Sequence, residues 1–299
     1  LAGVGRSRRQ LVLFPLLVLA IVAGSVFFAA NPTSTAAGSL QVTLLQGNIP
    51  QDEKFQPGTG LATALRWYGE QLRGAKTPLV VAPETSLPLL PQQLPEGYWS
   101  ALQARFASGQ QAALIGVPLG SYSAGYANSV VGLKPGQAQA FRFDKHHLVP
   151  FGEFVPPGFR WFIDLMKIPL GDFSRGALGQ PSFEWQGQRL APNICYEDLF
   201  GEELARRFVD PARAPTVLAN ISNIGWFGDT IAIPQHLHIS RLRSLELQRP
   251  MLRATNTGAT AVVDHTGRVQ AQLAPHTTGV LGARVQGRSG VTPFAWWAA

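Results

Sequence analysis

Residues 192–198 read PNICYED, and they contain the only cysteine of this 299-residue chain. A β-strand is predicted to run into this stretch and to end at the thiol. A lone cysteine cannot close a disulfide within the chain, and its neighbours lack the Cys and His spacing of a structural zinc site. Cys195 is therefore a buried apolar residue, a reactive nucleophile, or a residue without a specific role, and free cysteines in general are most often buried.

Short β-branched and aliphatic runs alternate with helical patterns on both sides of this stretch, which predicts an α/β layered domain over residues 40–285. Besides the strand that ends at Cys195, the predicted strands are 40–46, 78–84, 112–117, 127–133, 140–145 and 216–222. The predicted helices are 60–75, 97–108, 201–209 and 235–248. Residues 150–185 form a Pro- and Gly-rich aromatic excursion, and residues 258–273 are predicted to form a hairpin that turns at HTGR.

Composition indicates a globular protein and argues against nucleic acid as a partner. The hydrophobic content is 45% and the net charge is +7, which suits a sizeable core and would permit binding to polyanions. The basic residues are scattered, however, and only RSRR at 6–9 forms a cluster. No nucleic-acid-binding motif accompanies that cluster.

The N-terminal region predicts a membrane anchor. Residues 11–30 carry no charge, and 20 helical residues span about 30 Å of hydrocarbon. A basic flank at 1–10 then lies in the cytoplasm, and the domain after a linker at 31–39 lies outside, in a periplasm or its equivalent. A cleaved signal peptide is the alternative, but its apolar region is usually roughly 7–15 residues long.

The C-terminal residues 286–299 contain a proline and paired tryptophans, which resemble the interfacial start of a second, truncated membrane segment. The chain is therefore expected to be a fragment of a longer protein.

Three chemically reactive side chains each follow a predicted strand: Glu84, Lys145 and Cys195. Active sites of α/β folds collect at strand ends, so one pocket could hold all three. A carboxylate can take the proton of a thiol, and an ammonium can stabilise an oxyanion. Taken singly, Glu84 could instead pair with a loop and Lys145 could be solvated, and His146 or His147 could form a Cys/His dyad.

Five separated motifs resemble the nitrilase superfamily and, among its branches, the apolipoprotein N-acyltransferases of bacterial envelopes. They are APETSLP, DKHHLVPFGEFVP, NICYEDLF, NISNIGWFGDT and RPMLRATNTGATAVVDHTG. The resemblance runs from about Leu40 to Val280. It implies an α-β-β-α sandwich, here with an N-terminal transmembrane helix.

The resemblance also implies residue roles. Glu84 would be the general base, Lys145 would stabilise the oxyanion, and Cys195 would become a thioester. The supporting positions match Glu153, Tyr196 and Glu197. Phe55 stands where the family often has tryptophan, which leaves an aromatic wall but removes an indole hydrogen bond.

The implied reaction moves an acyl chain from a phospholipid donor to the N-terminal diacylglyceryl-cysteine of an apolipoprotein acceptor, without a metal or organic cofactor. Two other functions use the same residues differently. A nitrilase-type amidase would act on a small amide, and a membrane-tethered binding protein would carry an inactive triad.

The remaining singled-out residues have open interpretations. Asn128 either orients the site or ends a turn. Trp226 and Phe227 either line a lipid groove or pack on the core. Among the histidines, His236 and His238 are predicted to decorate a helix face, and His265 is predicted to be structural.

Overall fold

The computed structural model describes residues 8–30, 33–56, 58–137, 139–150, 152–154 and 173–299. Over these residues the strands are β1 (Thr35–Gln46), β2 (Leu79–Val81), β3 (Ala112–Ser121), β4 (Gly125–Leu133), β5 (Phe141–Asp144), β6 (Phe183–Trp185), β7 (Gln188–Ile194), β8 (Val217–Ser222), β9 (Met251–Thr255), β10 (Ala261–Val263), β11 (Val269–Gln272) and β12 (Gly279–Ser289). The helices are α1 (Arg8–Ala30), α2 (Gly60–Gly74), α3 (Tyr98–Ser108), α4 (Gly201–Ala205), α5 (Ala232–Leu247) and α6 (Pro293–Ala298). Part of the predicted basic flank (1–7), the first two linker residues (31–32) and part of the predicted excursion (151 and 155–172) lie outside the described residues.

The strands form two six-stranded sheets. The first has the order β12-β1-β2-β3-β4-β5, and the second has the order β11-β10-β9-β8-β7-β6. Strands β1, β2 and β3 are parallel to one another, as are β7, β8 and β9. The carboxyl ends of parallel neighbours lie at one edge of a sheet, so each sheet gathers strand-end residues at one edge.

Buried side chains arrange these elements in four layers. One apolar cluster takes residues from both sheets, including Val81 of β2 and Ile194 of β7. A second lies between the first sheet and helices α2 and α3, and a third lies between the second sheet and helices α4, α5 and α6. The predicted α-β-β-α sandwich is therefore confirmed as the architecture of the domain.

The domain extends further at both ends than predicted. Strand β1 begins at Thr35, which pairs with Ser289 of β12, so the predicted linker at 31–39 is wrong from Thr35 onward. Residues 286–289 belong to β12, and α6 buries Ala295 against the third cluster. Residues 286–298 are thus packed on the domain by strand pairing and apolar contacts, so the domain continues past its predicted end at 285. Trp296 and Trp297 are exposed, and the start of a second membrane segment at 286–299 stays a prediction.

Helix α1 includes all residues of the predicted membrane helix at 11–30. Among its described side chains, Leu13, Phe14 and Leu19 are more than half exposed. Within the described part of the chain, no helix has the length and apolar character that crossing a membrane requires. The transmembrane assignment of residues 11–30 stays a prediction.

Gly116 of β3 lies against the backbone of Pro83 and Glu84, so a substitution there tests how closely the two segments pack. A Cβ atom at this position would lie 2.2 Å from the Pro83 carbonyl oxygen and 2.8 Å from the Glu84 Cα. Because backbone atoms cannot move aside cheaply, Gly116→Ala should lower the free energy of unfolding by about 1–3 kcal/mol in urea titrations.

Gly282→Ala is the matched control, because Gly282 lies in β12 and a Cβ there meets nothing within 4 Å. The control should change stability by less than about 0.5 kcal/mol. Equal losses in the two variants would contradict the close packing of β3 against the Glu84 turn.

Candidate active site

The three predicted reactive residues meet between the two sheets. Glu84 follows β2, Lys145 follows β5, and Cys195 follows β7. The Lys145 Nζ atom lies 3.4 Å from Glu84 Oε1, and both charges act on the Cys195 thiol. The solvated-lysine alternative is therefore wrong, since Lys145 is 1% exposed.

The Lys145 ammonium is held between two carboxylates. It lies 2.9 Å from the Glu153 carboxylate in addition to its contact with Glu84. Burial alone lowers the pKa of Lys145, but the charges of Glu84 and Glu153 outweigh it and raise that pKa above its ordinary value. The side chain is therefore a permanent cation at neutral pH.

Asn128 connects the members of this cluster. Its Nδ2 donates to Glu84 Oε1 at 2.7 Å and to Glu153 Oε1 at 2.8 Å. The backbone carbonyl oxygen of Asn128 accepts a hydrogen bond from the Lys145 backbone N–H at 2.8 Å. Asn128 lies within β4 and is buried, so it orients the cluster and does not end a turn.

The second oxygen of Glu84 is fixed by a residue that the sequence analysis assigned no role. Glu84 Oε2 accepts from the Asn223 backbone N–H at 2.8 Å. The Asn223 side chain in turn accepts from Asn256 Nδ2 at 3.1 Å and donates to Gln51 Oε1 at 2.6 Å. Both asparagines lie in quoted motifs, NISN and ATNTG, but a motif does not reveal which side chains touch.

Lys54 is a second buried lysine at the site, and sequence reasoning missed it. Its Nζ donates to the Glu84 carbonyl oxygen at 3.1 Å and to Thr85 Oγ1 at 2.6 Å. Thr85 has a left-handed φ of 45°, so Lys54 stabilises a turn that side-chain-bearing residues rarely adopt. Burial lowers the pKa of Lys54 to about 7, although Glu84 opposes this shift.

Cys195 is half-buried and has a left-handed backbone, with φ of 56°. Its carbonyl oxygen accepts from Asn220 Nδ2 at 2.7 Å and lies 3.2 Å from His236 Nε2. Burial first and Glu84 second raise the pKa of the thiol to about 12, while Lys145 opposes them. The resting thiol is protonated at neutral pH and requires a base to become a nucleophile.

Glu197 joins the segments that carry Lys145 and Cys195. Its carboxylate accepts from the backbone N–H groups of His146 at 2.7 Å, His147 at 3.1 Å and Ile194 at 2.7 Å. Burial raises the pKa of Glu197, and these three hydrogen bonds oppose the rise. The carboxylate therefore positions the backbone of both segments.

Tyr196 contributes an aromatic wall beside Lys145. Its hydroxyl donates to the Leu148 carbonyl oxygen at 2.7 Å, and the Lys145 Nζ lies 5.5 Å from its ring centroid. Burial is the main cause that raises the pKa of Tyr196 to about 12. The phenol therefore remains neutral and acts through its ring and one hydrogen bond.

Both histidines of the alternative dyad are engaged by other partners. His146 Nδ1 lies 2.6 Å from the Gly176 carbonyl oxygen. His147 Nδ1 lies 3.0 Å from Glu203 Oε1, and its ring stacks on Phe200 with centroids 3.6 Å apart. This geometry favours Glu84 over an imidazole as the base for Cys195.

The prediction that His236 decorates a helix face is wrong. His236 is buried, and its ring contacts Asp198 at 3.0 Å and Arg253 at 3.2 Å. The inward face of α5 also carries Ser240, so the helix lacks the apolar stripe that would have marked His236 as inward-facing. His238 is exposed as expected, and His265 lies at the predicted hairpin turn.

The three predicted substrate-binding aromatics are exposed, on two loops that contact Glu84 through Lys54 and Asn223. Phe55 is 54%, Trp226 is 74% and Phe227 is 60% exposed, so the alternative that Trp226 and Phe227 pack on the core is wrong. The loops that carry them are joined by the hydrogen bond between Asn223 and Gln51. Among the residues described, no three His, Cys, Asp or Glu side chains are grouped as a metal site requires.

The chain is similar in sequence to known proteins. The carbon-nitrogen hydrolase family model matches residues 41–293. The chain is 64% identical over 269 residues to an apolipoprotein N-acyltransferase of Verminephrobacter eiseniae (strain EF01-2), covering 87% of this chain and 50% of that protein. It is 50% identical over 283 residues to the protein of that name from Ralstonia nicotianae (strain ATCC BAA-1114 / GMI1000), covering 92% and 54%. The chain therefore spans about half the length of these curated relatives.

Two solved structures share the fold at low identity. The C. elegans NitFhit protein aligns with a TM-score of 0.62 and 17% identity, covering 84% of this chain and 62% of that one. A carbon-nitrogen hydrolase from Helicobacter pylori G27 aligns with a TM-score of 0.57 and 18% identity, covering 84% and 90%.

The buried Lys54 predicts a specific dependence of stability on pH. The pKa of Lys54 is about 7 in the folded chain and 10.5 in the unfolded chain. Between these two pH values the unfolded chain therefore binds more protons than the folded chain. The stability of the wild type relative to Lys54→Met should therefore rise as pH increases from 7 to 10, by at most about 1.4 kcal/mol per pH unit. Urea titrations of both proteins across this range measure the difference.

Lys76→Met is the control, because Lys76 is exposed and stays in water in both states. Its difference from the wild type should be flat with pH. A flat difference for Lys54→Met as well would show that the Lys54 ammonium is not buried at the turn.

Proposed function

Because the chain belongs to the carbon-nitrogen hydrolase family, we propose that it carries the catalytic domain of an apolipoprotein N-acyltransferase. The acyl chain moves from a phospholipid to the N-terminal diacylglyceryl-cysteine of a lipoprotein, through a thioester on Cys195. The observation that carries this proposal is the cluster of Glu84, Lys145 and Glu153 beside a half-buried protonated thiol. The identity of 64% to a protein of that name supports the choice of substrates.

The first half-reaction forms the thioester. Glu84 takes the proton of the Cys195 thiol as sulfur attacks the ester carbonyl carbon of the phospholipid. Negative charge develops on the carbonyl oxygen, where the Lys145 ammonium stabilises it. The intermediate collapses when the carbon–oxygen ester bond breaks and Glu84 returns the proton to the departing glyceryl oxygen, which releases lysophospholipid.

The second half-reaction forms the amide. The neutral α-amine of the diacylglyceryl-cysteine attacks the thioester carbonyl carbon, and Lys145 again faces the oxyanion. Glu84 accepts a proton from the attacking nitrogen and delivers it to sulfur as the carbon–sulfur bond breaks. The products are an N-acylated lipoprotein and the Cys195 thiol.

The supporting residues keep this geometry through both steps. Glu153 and Asn128 fix the Lys145 ammonium and the Glu84 carboxylate relative to one another. Glu197 holds the backbone on either side of the nucleophile. Tyr196 covers Lys145 with an aromatic face and reduces its contact with water.

The exposed aromatics and helix α1 fit a lipid donor. Phe55, Trp226 and Phe227 form an apolar rim at which acyl chains can leave the membrane and reach Cys195. Helix α1 carries exposed apolar side chains and anchors the domain at the bacterial inner membrane, with the site on the periplasmic side. A small-amide amidase would use the same three catalytic groups but would not require such a rim.

The identity of the base is tested by thioester formation on Cys195, followed by intact-protein mass spectrometry with a water-soluble activated ester as donor. Glu84→Gln keeps the shape of the side chain but cannot take the thiol proton. It should slow acylation by about 100-fold or more. The double variant His146→Gln/His147→Gln should acylate within about threefold of the wild type, because both imidazoles are engaged elsewhere.

Cys195→Ala is the control for the site of modification and should gain no acyl mass. The proposal is contradicted if Glu84→Gln acylates at the wild-type rate, or if the double histidine variant alone abolishes the adduct.

A further inference from the structure

We propose that His236, supported by Asp198 and Arg253, is a positioning residue that holds the Cys195 backbone in its left-handed conformation and so directs the thiol towards Glu84. This inference rests on the proposed role of Cys195 as the nucleophile. It concerns a buried polar network that contacts the Cys195 backbone carbonyl oxygen.

The network connects three elements through four buried side chains: Asp198 in the turn after Cys195, His236 and Ser240 on α5, and Arg253 on β9. Asp198 Oδ1 lies 3.0 Å from His236 Nε2, while Asp198 Oδ2 accepts from Ser240 Oγ and lies 3.4 Å from Arg253. Burial alone raises the pKa of Asp198, but His236, Arg253 and Ser240 lower it below its ordinary value. Asp198 is therefore a buried carboxylate with fixed partners.

The partners of His236 determine which of its ring nitrogens donates a hydrogen bond. A guanidinium can only donate, so the 3.2 Å contact from Arg253 requires a lone pair on His236 Nδ1. Nε2 is then the donor of the ring. The Nε2 proton lies between two acceptors, the Asp198 carboxylate at 3.0 Å and the Cys195 carbonyl oxygen at 3.2 Å.

The Cys195 carbonyl is the point at which this network reaches the site. Residues with a side chain seldom adopt a φ near 56°, so the surroundings must hold Cys195 in place. Two donors converge on its carbonyl oxygen, Asn220 Nδ2 from β8 and His236 Nε2 from α5. Without the second donor the peptide unit can rotate, and the Cys195 side chain moves away from Glu84.

The experiment compares three substitutions of His236 in the full chain. His236→Leu removes the donor, and His236→Asn keeps a polar group but is too short to reach the carbonyl. His236→Gln restores an amide donor for Cys195 and an acceptor for Arg253. Single-turnover acylation of Cys195 by a water-soluble activated ester is measured against ester concentration, at temperatures where circular dichroism shows each variant folded.

The Leu and Asn variants should lower the maximal acylation rate by about 10- to 100-fold, with the half-saturating ester concentration within about twofold of the wild type. The Gln variant should stay within about threefold of the wild type. A purely structural residue would change the unfolding temperature without this pattern. His238→Gln, at an exposed position on the same helix, is the matched control and should change neither quantity.

Wild-type maximal rates in the Leu or Asn variant would overturn the inference, and if the Leu variant does not fold, the Asn variant decides.

Alkylation of Cys195 by iodoacetamide, which needs no acyl transfer, separates this inference from the proposed function. If the wild type forms no thioester, the proposed function fails. Slower alkylation of the Asn variant than of the Gln variant would still support positioning, and equal alkylation would overturn it.

Discussion

The buried ammonium of Lys145 is the constraint on which the rest of the site depends. An unpaired charge with 1% exposure would cost several kcal/mol, so the fold must supply counter-charges at hydrogen-bonding distance. Glu84 and Glu153 supply them from two different segments. Asn128 then satisfies both carboxylates at once, which makes the four side chains a single unit in which each position is fixed by the others.

The same charges explain the chemistry at Cys195. Burial and two nearby carboxylates keep the thiol protonated, with a pKa of about 12, so the nucleophile is formed only when Glu84 accepts its proton. Lys145 keeps its positive charge throughout, because the neighbouring negative charges raise its pKa. Adjacent carboxylates in PNICYED serve different purposes. Glu197 accepts a hydrogen bond from the backbone N–H of His146, next to Lys145, whereas Asp198 contacts His236 of the buried network.

Sequence reasoning succeeded where a local pattern carries the information. Alternating strands and helices predicted the layers, and the strand-end positions of Glu84, Lys145 and Cys195 predicted that these side chains lie close together. It failed for features that depend on tertiary contacts. Lys54 and His236 look like surface residues in sequence, because polar residues buried by mutual hydrogen bonds leave no apolar periodicity. Strand β9 contains the buried Arg253 and β12 carries exposed polar residues, so neither strand shows a clear apolar pattern of its own.

The fate of an acyl group on Cys195 tests the central claim most directly. The wild-type acyl-enzyme, formed with a radiolabelled chain from phospholipid, is mixed with a diacylglyceryl-cysteinyl peptide that has either a free or an acetylated α-amine. The account predicts that the label moves to the free-amine peptide as an amide, and that it stays on Cys195 with the blocked peptide. Release of the label as free fatty acid at the same rate with either peptide, or no labelling of Cys195 by phospholipid, would contradict it.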